Sequence, residues 1–362
     1  MYISAKSIDD LMRKVLTLLL AKEHRVKATR GSAAEELGVL LKVRNPRCRL
    51  SRTETRGQLF SAIGELLWYL AGSKDGEFIT YYAPGYKKDI VNGEIYGGYG
   101  PRLIRRRTSD GSLTNQIENV IQVLTQKRGS RRAVIQLFDA EDIVDPSRKE
   151  VPCTCTLQFL IRGDRLHLIS SLRSNDAYLG LPHDVFAFTM LQEILARRLG
   201  LEIGTYKHMV GSLHLYDKQD GTKEDWPALA QQYLDEGFPE PVEMPAMPIG
   251  DPMPEINRLL LLEAKLRNRK RVPAAEFKRP GYWGDLARLL KIFQHVKKKE
   301  PRAQRAIGPL KARMSSRFFH IYIQRKQRPH AAVPIPKQMD FGLTMPPPTA
   351  PTKAKEKRNP PR

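Results

Sequence analysis

The chain has 362 residues, 41% hydrophobic and 28% charged, enough apolar material for a large buried core. Its three cysteines, Cys48, Cys153 and Cys155, exclude a disulfide framework, and without a Cys-x-x-Cys pair or His cluster they make no zinc site, while no apolar run reaches the roughly 18 to 20 residues of a bilayer span. The net charge of +22 is uneven, with 19 Lys and Arg against 4 Asp and Glu in residues 281–362, so the excess describes a tail more than the main body.

Ser7 stands before an apolar-periodic run (Leu11, Met12, Val15, Leu16, Leu19), which predicts a capped amphipathic helix over 7–22. Acids and bases run through this apolar stretch, unlike a signal peptide, so a cytoplasmic protein without membrane attachment is expected. Residues 36–43 have strand composition. SRTETRGQLFSAIGELLWYLAGS (51–73) reads as a helix stopped at Gly72, with Leu59, Ile63, Leu66, Leu67 and Leu70 on one side. Residues 78–103, rich in Gly, Tyr and Pro, read as an aromatic loop, a common place for function.

A helix over 115–127 then leads into a strand at 130–138. CTCTLQFLI and RLHLISSLR, joined by Arg162-Gly163-Asp164, predict a hairpin. A helix at 183–199 ends at Gly200, and a strand follows at 205–216. This mixed order of helices and antiparallel strands argues an α+β fold. Beyond Pro239 the chain is proline-rich, then helical around 281–299, and its end is low in complexity and reads as disordered.

Cys153 and Arg173 lie at opposite ends of the hairpin, whose return brings them together. A guanidinium beside a thiol favours the thiolate, the attacking species. Several runs in this order, ELLWYLAG (65–72), IYGGYGPR (95–102), SRRAVIQLF (130–138), PCTCTLQF (152–159), RSNDAYLGLP (173–182) and GSLHLY (211–216), resemble the thymidylate synthase and dCMP hydroxymethylase family over about residues 20–220. The resemblance implies that family's fold, a mainly antiparallel mixed sheet packed with helices and paired through the sheet into a homodimer. It makes residues 1–240 the catalytic domain, 241–330 a basic, partly helical extension and 331–362 a Pro/Lys-rich tail.

The resemblance also implies chemistry. Cys153 adds to carbon 6 of a pyrimidine nucleoside monophosphate, activating carbon 5 toward the one-carbon unit of 5,10-methylenetetrahydrofolate, with no metal. Glu65 is the acid/base group that organises water, and Tyr96 belongs to the catalytic water network. Arg173 and Ser174 hold the phosphate, Arg131 and Arg132 reach it from the partner subunit, and Arg30 is a fifth contact. His214 and Tyr216, on one side of a strand, contact the sugar hydroxyl. Asp176 holds the pterin ring of the folate, and Glu65 also belongs to the folate site.

Asp184 departs from the asparagine of thymidylate synthases. An amide donates to oxygen 4 of uracil and accepts from its ring N–H, whereas cytosine reverses both demands and suits a carboxyl group sharing a proton with the ring. Asp184 thus points to dCMP or CMP, and to hydroxymethylation, in which water rather than hydride meets the carbon-5 methylene. Thr154 and Ser212, where synthases carry His and Asp, and a loop at 81–90 without tryptophan agree with an altered pocket. The alternatives are a divergent thymidylate synthase acting on dUMP, and a nucleic-acid-binding protein on an inactive scaffold that uses the basic tail for nucleic acid or an acidic partner.

Overall fold

The computed structural model describes residues 1–148, 150–218, 224–298 and 301–327; the tail at 331–362 lies outside the described residues. The chain opens with strand β1 (Tyr2–Ala5) and helix α1 (Ile8–Leu20). Ser7 caps α1 as its sequence predicts: its hydroxyl accepts from Asp10 N–H at 3.1 Å, and the Asp10 carboxylate accepts from Ser7 N–H at 3.2 Å. Strands β2 (Val26–Ala28) and β3 (Gly31–Val43) follow.

Helix α2 (Leu59–Leu70) begins eight residues later than the reading from Ser51 predicts. Residues 51–58 are instead held as a loop. Ser51 and Thr53 hydroxyls accept from the backbone N–H groups of Thr53 and Arg56, and Arg325 donates to the carbonyls of Arg52 and Thr53, each at 2.6 Å. The expected loop at 78–103 is also more ordered than its composition suggests. It contains the end of α3 (Gly76–Tyr82), a 3₁₀ segment (Pro84–Asp89) and most of α4 (Tyr99–Ile104), where buried Phe78, Ile79, Tyr82, Ile95 and Tyr99 supply the packing.

After a short ribbon of β4 (Arg106–Arg107) and β5 (Leu113–Thr114) come α5 (Gln116–Gln126), β6 (Val134–Gln136), β7 (Thr154–Arg162), β8 (Arg165–Asp176), α6 (Gly180–Arg198) and β9 (Glu202–Tyr216). The predicted hairpin is β7 and β8, with Arg162 opposite Arg165 and Gly163 at φ 57° in the turn. The sheet order is β1-β3-β9-β8-β7-β6, with β2 paired to β3. Most pairings are antiparallel, while β1 with β3 and β8 with β9 run parallel. α1 and α6 cover one face through Leu11, Leu16, Phe186, Phe188 and Leu195, all buried. On other parts of the sheet Leu37 and Met209 stay exposed.

Helix α7 (Trp226–Asp235) returns to α1. Then α8 (Met253–Arg267), α9 (Gly281–Lys298), α10 (Pro301–Arg305), α11 (Ile307–Ala312) and α12 (His320–Gln327) follow. The helices of this segment join the same core: Phe293 of α9 stacks at 5.3 Å on Phe60 of α2 and at 5.0 Å on Tyr82 of α3.

Candidate active site

Cys153 immediately precedes β7, and the β7–β8 hairpin carries Arg173 back to it. Arg173 N–H donates to the Cys153 carbonyl at 2.9 Å, and Arg173 Nη2 lies 3.8 Å from Sγ. The guanidinium is held in place by the carbonyls of Pro152 and Val151, at 2.9 and 3.1 Å. Burial nonetheless pushes the Cys153 thiol up to about 11, with Arg173 pulling the other way. The expected low-pKa thiol is therefore not its resting state, because desolvation outweighs the cation. The next residue, Thr154, is anchored through its N–H and hydroxyl to the hydroxyl of Tyr99, both at 3.0 Å.

Glu65 projects from α2, nearly buried, and its Oε1 accepts hydroxyl hydrogen bonds from Tyr69 and Tyr86, each at 2.7 Å. Tyr69 sits one helical turn after Glu65, so that contact is readable from an i, i+4 spacing. Tyr86 comes from the 3₁₀ segment and carries no such local signal. Tyr96, expected in this network, lies elsewhere: its ring is under the Arg148 guanidinium at 3.8 Å and its hydroxyl bonds Asp142. Ile95 takes the inward position beside it, and the turn through Gly97 and Gly98 brings Tyr99 inward instead.

One cavity of about 1220 Å³ gathers Arg30, Glu65, Cys153, Arg173, Ser174, Asp176, Asp184, His214 and Tyr216. Tyr96, Arg131 and Arg132 do not line it; the two arginines are exposed ahead of β6. Arg30, expected as a phosphate contact, reaches the cavity and pairs with Asp89 at 3.0 Å. The parallel register of β8 and β9 sets Ser174 beside Ser212 and Asp176 beside His214. Ser174 Oγ lies 3.5 Å from His214 Nδ1, and the rings of His214 and Tyr216 meet edge to face at 4.8 Å. Ser212 donates to Glu35. Asp176 accepts from the N–H groups of Tyr178 and Leu179 at 2.8 and 2.7 Å, shaping the turn into α6.

Asp184 lies near the start of α6, facing the cavity, and its Oδ2 accepts from Asn175 Nδ2 at 2.7 Å. Burial, reinforced by the charge of Glu65, raises its carboxyl to about 8 against the donation from Asn175. At neutral pH it is mainly a carboxylic acid, with one O–H donor besides its acceptor capacity. Asn175 is a functional candidate the sequence reading did not single out, since within RSND it resembles an ordinary turn residue.

The cavity exceeds the 300–1,000 Å³ of a typical single-ligand pocket, so it has room for a nucleotide and a second, flat molecule beside Trp68 and Trp226. Both indole N–H groups have no hydrogen-bond partner, and Trp68 is almost fully buried. Among the described residues no group of His, Cys, Asp or Glu is arranged to hold a metal, and no helix is long and apolar enough to cross a membrane.

Thymidylate synthases from two strains of Listeria monocytogenes, serotype 4a (strain HCC23) and serotype 4b (strain F2365), are each 31% identical to this chain over 125 residues. The matched stretch is 34% of this chain and 39% of each relative, so the chain spans well under half the length of the curated relatives it matches. The thymidylate synthase family model matches residues 10–270, from α1 through α8. With the mixed sheet and the cavity built around Cys153, this extended match establishes that the chain belongs to the thymidylate synthase family.

Proposed function

We propose that the protein is an enzyme that transfers a one-carbon unit from 5,10-methylenetetrahydrofolate to carbon 5 of a cytidine monophosphate, hydroxymethylating dCMP or CMP. The observation that carries this reading is Asp184, a mainly neutral acid whose Oδ2 is engaged by the Asn175 amide. A carboxylic acid facing cytosine donates its O–H to ring nitrogen 3 and accepts from the exocyclic amine, satisfying both polar groups of that edge.

In this reading Arg173 and Ser174 hold the phosphate, and His214 and Tyr216 face the sugar. Cys153, as thiolate, bonds to carbon 6, the carbon 5–6 double-bond pair shifts toward nitrogen 3, and Asp184 gives that nitrogen its proton. Carbon 5 is then nucleophilic. When bound, methylenetetrahydrofolate supplies the electrophilic carbon. The Glu65, Tyr69 and Tyr86 hydroxyl–carboxylate cluster orients the water that receives the carbon-5 proton. Once carbon 5 has bonded the one-carbon unit, loss of that proton and of the folate nitrogen leaves an exocyclic methylene; a second water adds to it, and the sulfur–carbon bond breaks to return Cys153 as nitrogen 3 gives its proton back to Asp184.

The second reading is a thymidylate synthase acting on dUMP. The names of the Listeria relatives favour it, and a neutral Asp184 can also imitate an amide by donating to oxygen 4 and accepting from the ring N–H. The assembled cavity supports either enzyme over an inactive scaffold. A homodimer is part of the proposal: Arg131 and Arg132 lie off their own cavity, and Leu37 and Met209 leave apolar surface on the sheet. Contacts of the basic tail with nucleic acid or an acidic partner are a separate proposal, resting on sequence alone.

Tritium release from carbon-5-labelled dCMP, CMP and dUMP, with dihydrofolate followed at 340 nm in the same reactions, tests the proposal. Release from a cytosine nucleotide without dihydrofolate is the expected result. Release from dUMP alone, with stoichiometric dihydrofolate, establishes the synthase and overturns the reading of Asp184.

A further inference from the structure

Behind Asp184 runs a continuous line of buried polar side chains. Asn175 Nδ2 donates to Asp184 Oδ2 at 2.7 Å, and Asn175 Oδ1 lies 3.0 Å from His208 Nε2. On its other side His208 Nδ1 is 2.7 Å from the Tyr206 hydroxyl and 3.1 Å from Ser170 Oγ, and these two hydroxyls are 2.7 Å apart. Ser170, Tyr206 and His208 have no exposed surface, and Asn175 has 3%. Polar groups this deep in a core are costly unless each is paired, and here the pairing leads to the cavity wall.

The directions of these bonds follow from the groups themselves. His208 is neutral, its imidazole pushed down to about 3 by burial, so it has one donor nitrogen and one acceptor. Because Asn175 turns its amide N–H toward Asp184, its carbonyl must accept, and His208 Nε2 is the donor. Nδ1 then accepts from the hydroxyl pair of Tyr206 and Ser170, at 2.7 and 3.1 Å, which also bond each other. The line therefore runs from the Ser170–Tyr206 hydroxyl pair to His208 to Asn175 to Asp184, with His208 and Asn175 each donating to the next. Its final bond marks Asp184 Oδ2 as an acceptor oxygen and leaves Oδ1 to carry the acid proton.

We propose that Asn175 and His208 are positioning residues for base selection: the buried line from Ser170 fixes the Asn175 amide, which fixes the acceptor and donor oxygens of Asp184 as they face the pyrimidine. This deepens the proposed function and rests on Asp184 reading the base. Without the Asn175 donor, the carboxyl exchanges its two oxygens freely and presents the donor–acceptor orders of both cytosine and uracil. The selectivity for one base over the other then falls, even though neither residue enters the reaction.

The test compares kcat and KM for dCMP and dUMP in the wild-type chain and in Asn175→Ala, His208→Phe and His208→Gln, with thermal unfolding to identify folded variants. Asn175→Ala is expected to reduce the dCMP to dUMP ratio of kcat/KM about tenfold, the size of one lost hydrogen bond in a buried site. His208→Phe keeps an aromatic ring, breaks the line and shifts the ratio in the same direction, whereas His208→Gln retains a donor and restores part of it. Equal losses for both nucleotides in folded Asn175→Ala, or an unchanged ratio, overturn the positioning role while leaving the activity in place. A wild-type protein that prefers neither base, or turns over neither nucleotide, overturns the reading of Asp184 together with the inference. Should Asn175→Ala fail to fold, Tyr206→Phe, which removes only a hydroxyl, decides on the same ratio.

Discussion

Arg173 touches Cys153 twice, through a 2.9 Å backbone hydrogen bond to its carbonyl and through a guanidinium nitrogen 3.8 Å from its sulfur. The arginine thus sets both the position of the nucleophile and part of its electrostatic environment, yet burial keeps the thiol protonated to about 11. Alkylation of Cys153 by iodoacetamide, followed on its own peptide by mass spectrometry, should accelerate about tenfold per pH unit up to pH 10. Removing the cation in Arg173→Gln disfavours the thiolate further and slows the reaction at every pH in that range. A plateau below pH 9 contradicts this account.

Asp184→Asn should move preference toward uracil nucleotides, measured as the dUMP to dCMP ratio of kcat/KM. An unchanged ratio removes the basis for the cytidylate reading. The same variant tests the carboxyl's linkage to folding. Its pKa is raised from 3.8 to about 8 in the folded state, so the folded protein binds the extra proton and loses stability as pH rises between those values. Asp184→Asn should therefore melt higher than the wild type at pH 8, by about 2 °C or more, with the difference vanishing near pH 4.

The shared acceptance of two tyrosine hydroxyls by one Glu65 oxygen predicts graded losses. Glu65→Gln removes the carboxylate that orients the proton-accepting water and should lower kcat about 100-fold or more. Tyr69→Phe and Tyr86→Phe each remove one donor and should cost about three- to tenfold in kcat. Tyr96→Phe, in a side chain that does not line the cavity, should leave kcat near the wild-type value; a loss matching Tyr86→Phe returns Tyr96 to the catalytic network.

Far from the cavity, Glu193 of α6 binds buried Arg49 at 2.6 Å and accepts from Met247 N–H at 2.9 Å, tying the helix to segments on either side. Glu193→Ala leaves a buried guanidinium without its counter-charge and should cost about 3–5 kcal/mol in urea unfolding. Replacing Arg49 and Glu193 together by methionine should cost less, since no lone charge remains. Equal costs for the two variants contradict the ion-pair explanation.

Periodicity made the central framework legible. The β7–β8 hairpin alternates beyond the irregularity at Thr154–Thr156, α1 carries its cap in the sequence, and α6 stops just before Gly200, whose φ is 65°. Composition misled where tertiary contacts decide: Gly- and Pro-rich residues 78–103 hold short helices because their aromatic side chains pack against α2 and α9. It also hid the loop at 51–58, whose partner Arg325 lies more than 260 residues away. In the site, ordered motifs point to Cys153, Arg173 and Asp184, and the fold brings these three to one cavity. Asn175, which reads as a turn residue, and Tyr86, whose partner Glu65 lies outside its own segment, carry no such signal, and the inward turn at Tyr99 in place of Tyr96 is a matter of one local bend.

The parallel ladder of β8 and β9 also limits how this pocket can evolve. Ser174 opposite Ser212 and Asp176 opposite His214 depend on one shared register. A single inserted or deleted residue that no bulge takes up sends every following side chain to the opposite surface. Exchange of side chains at fixed register is thus the direct route to a new nucleotide along this ladder, while changes in length are absorbed at bulges, like the irregularity between Leu166 and Leu168, or in the connections beyond its ends.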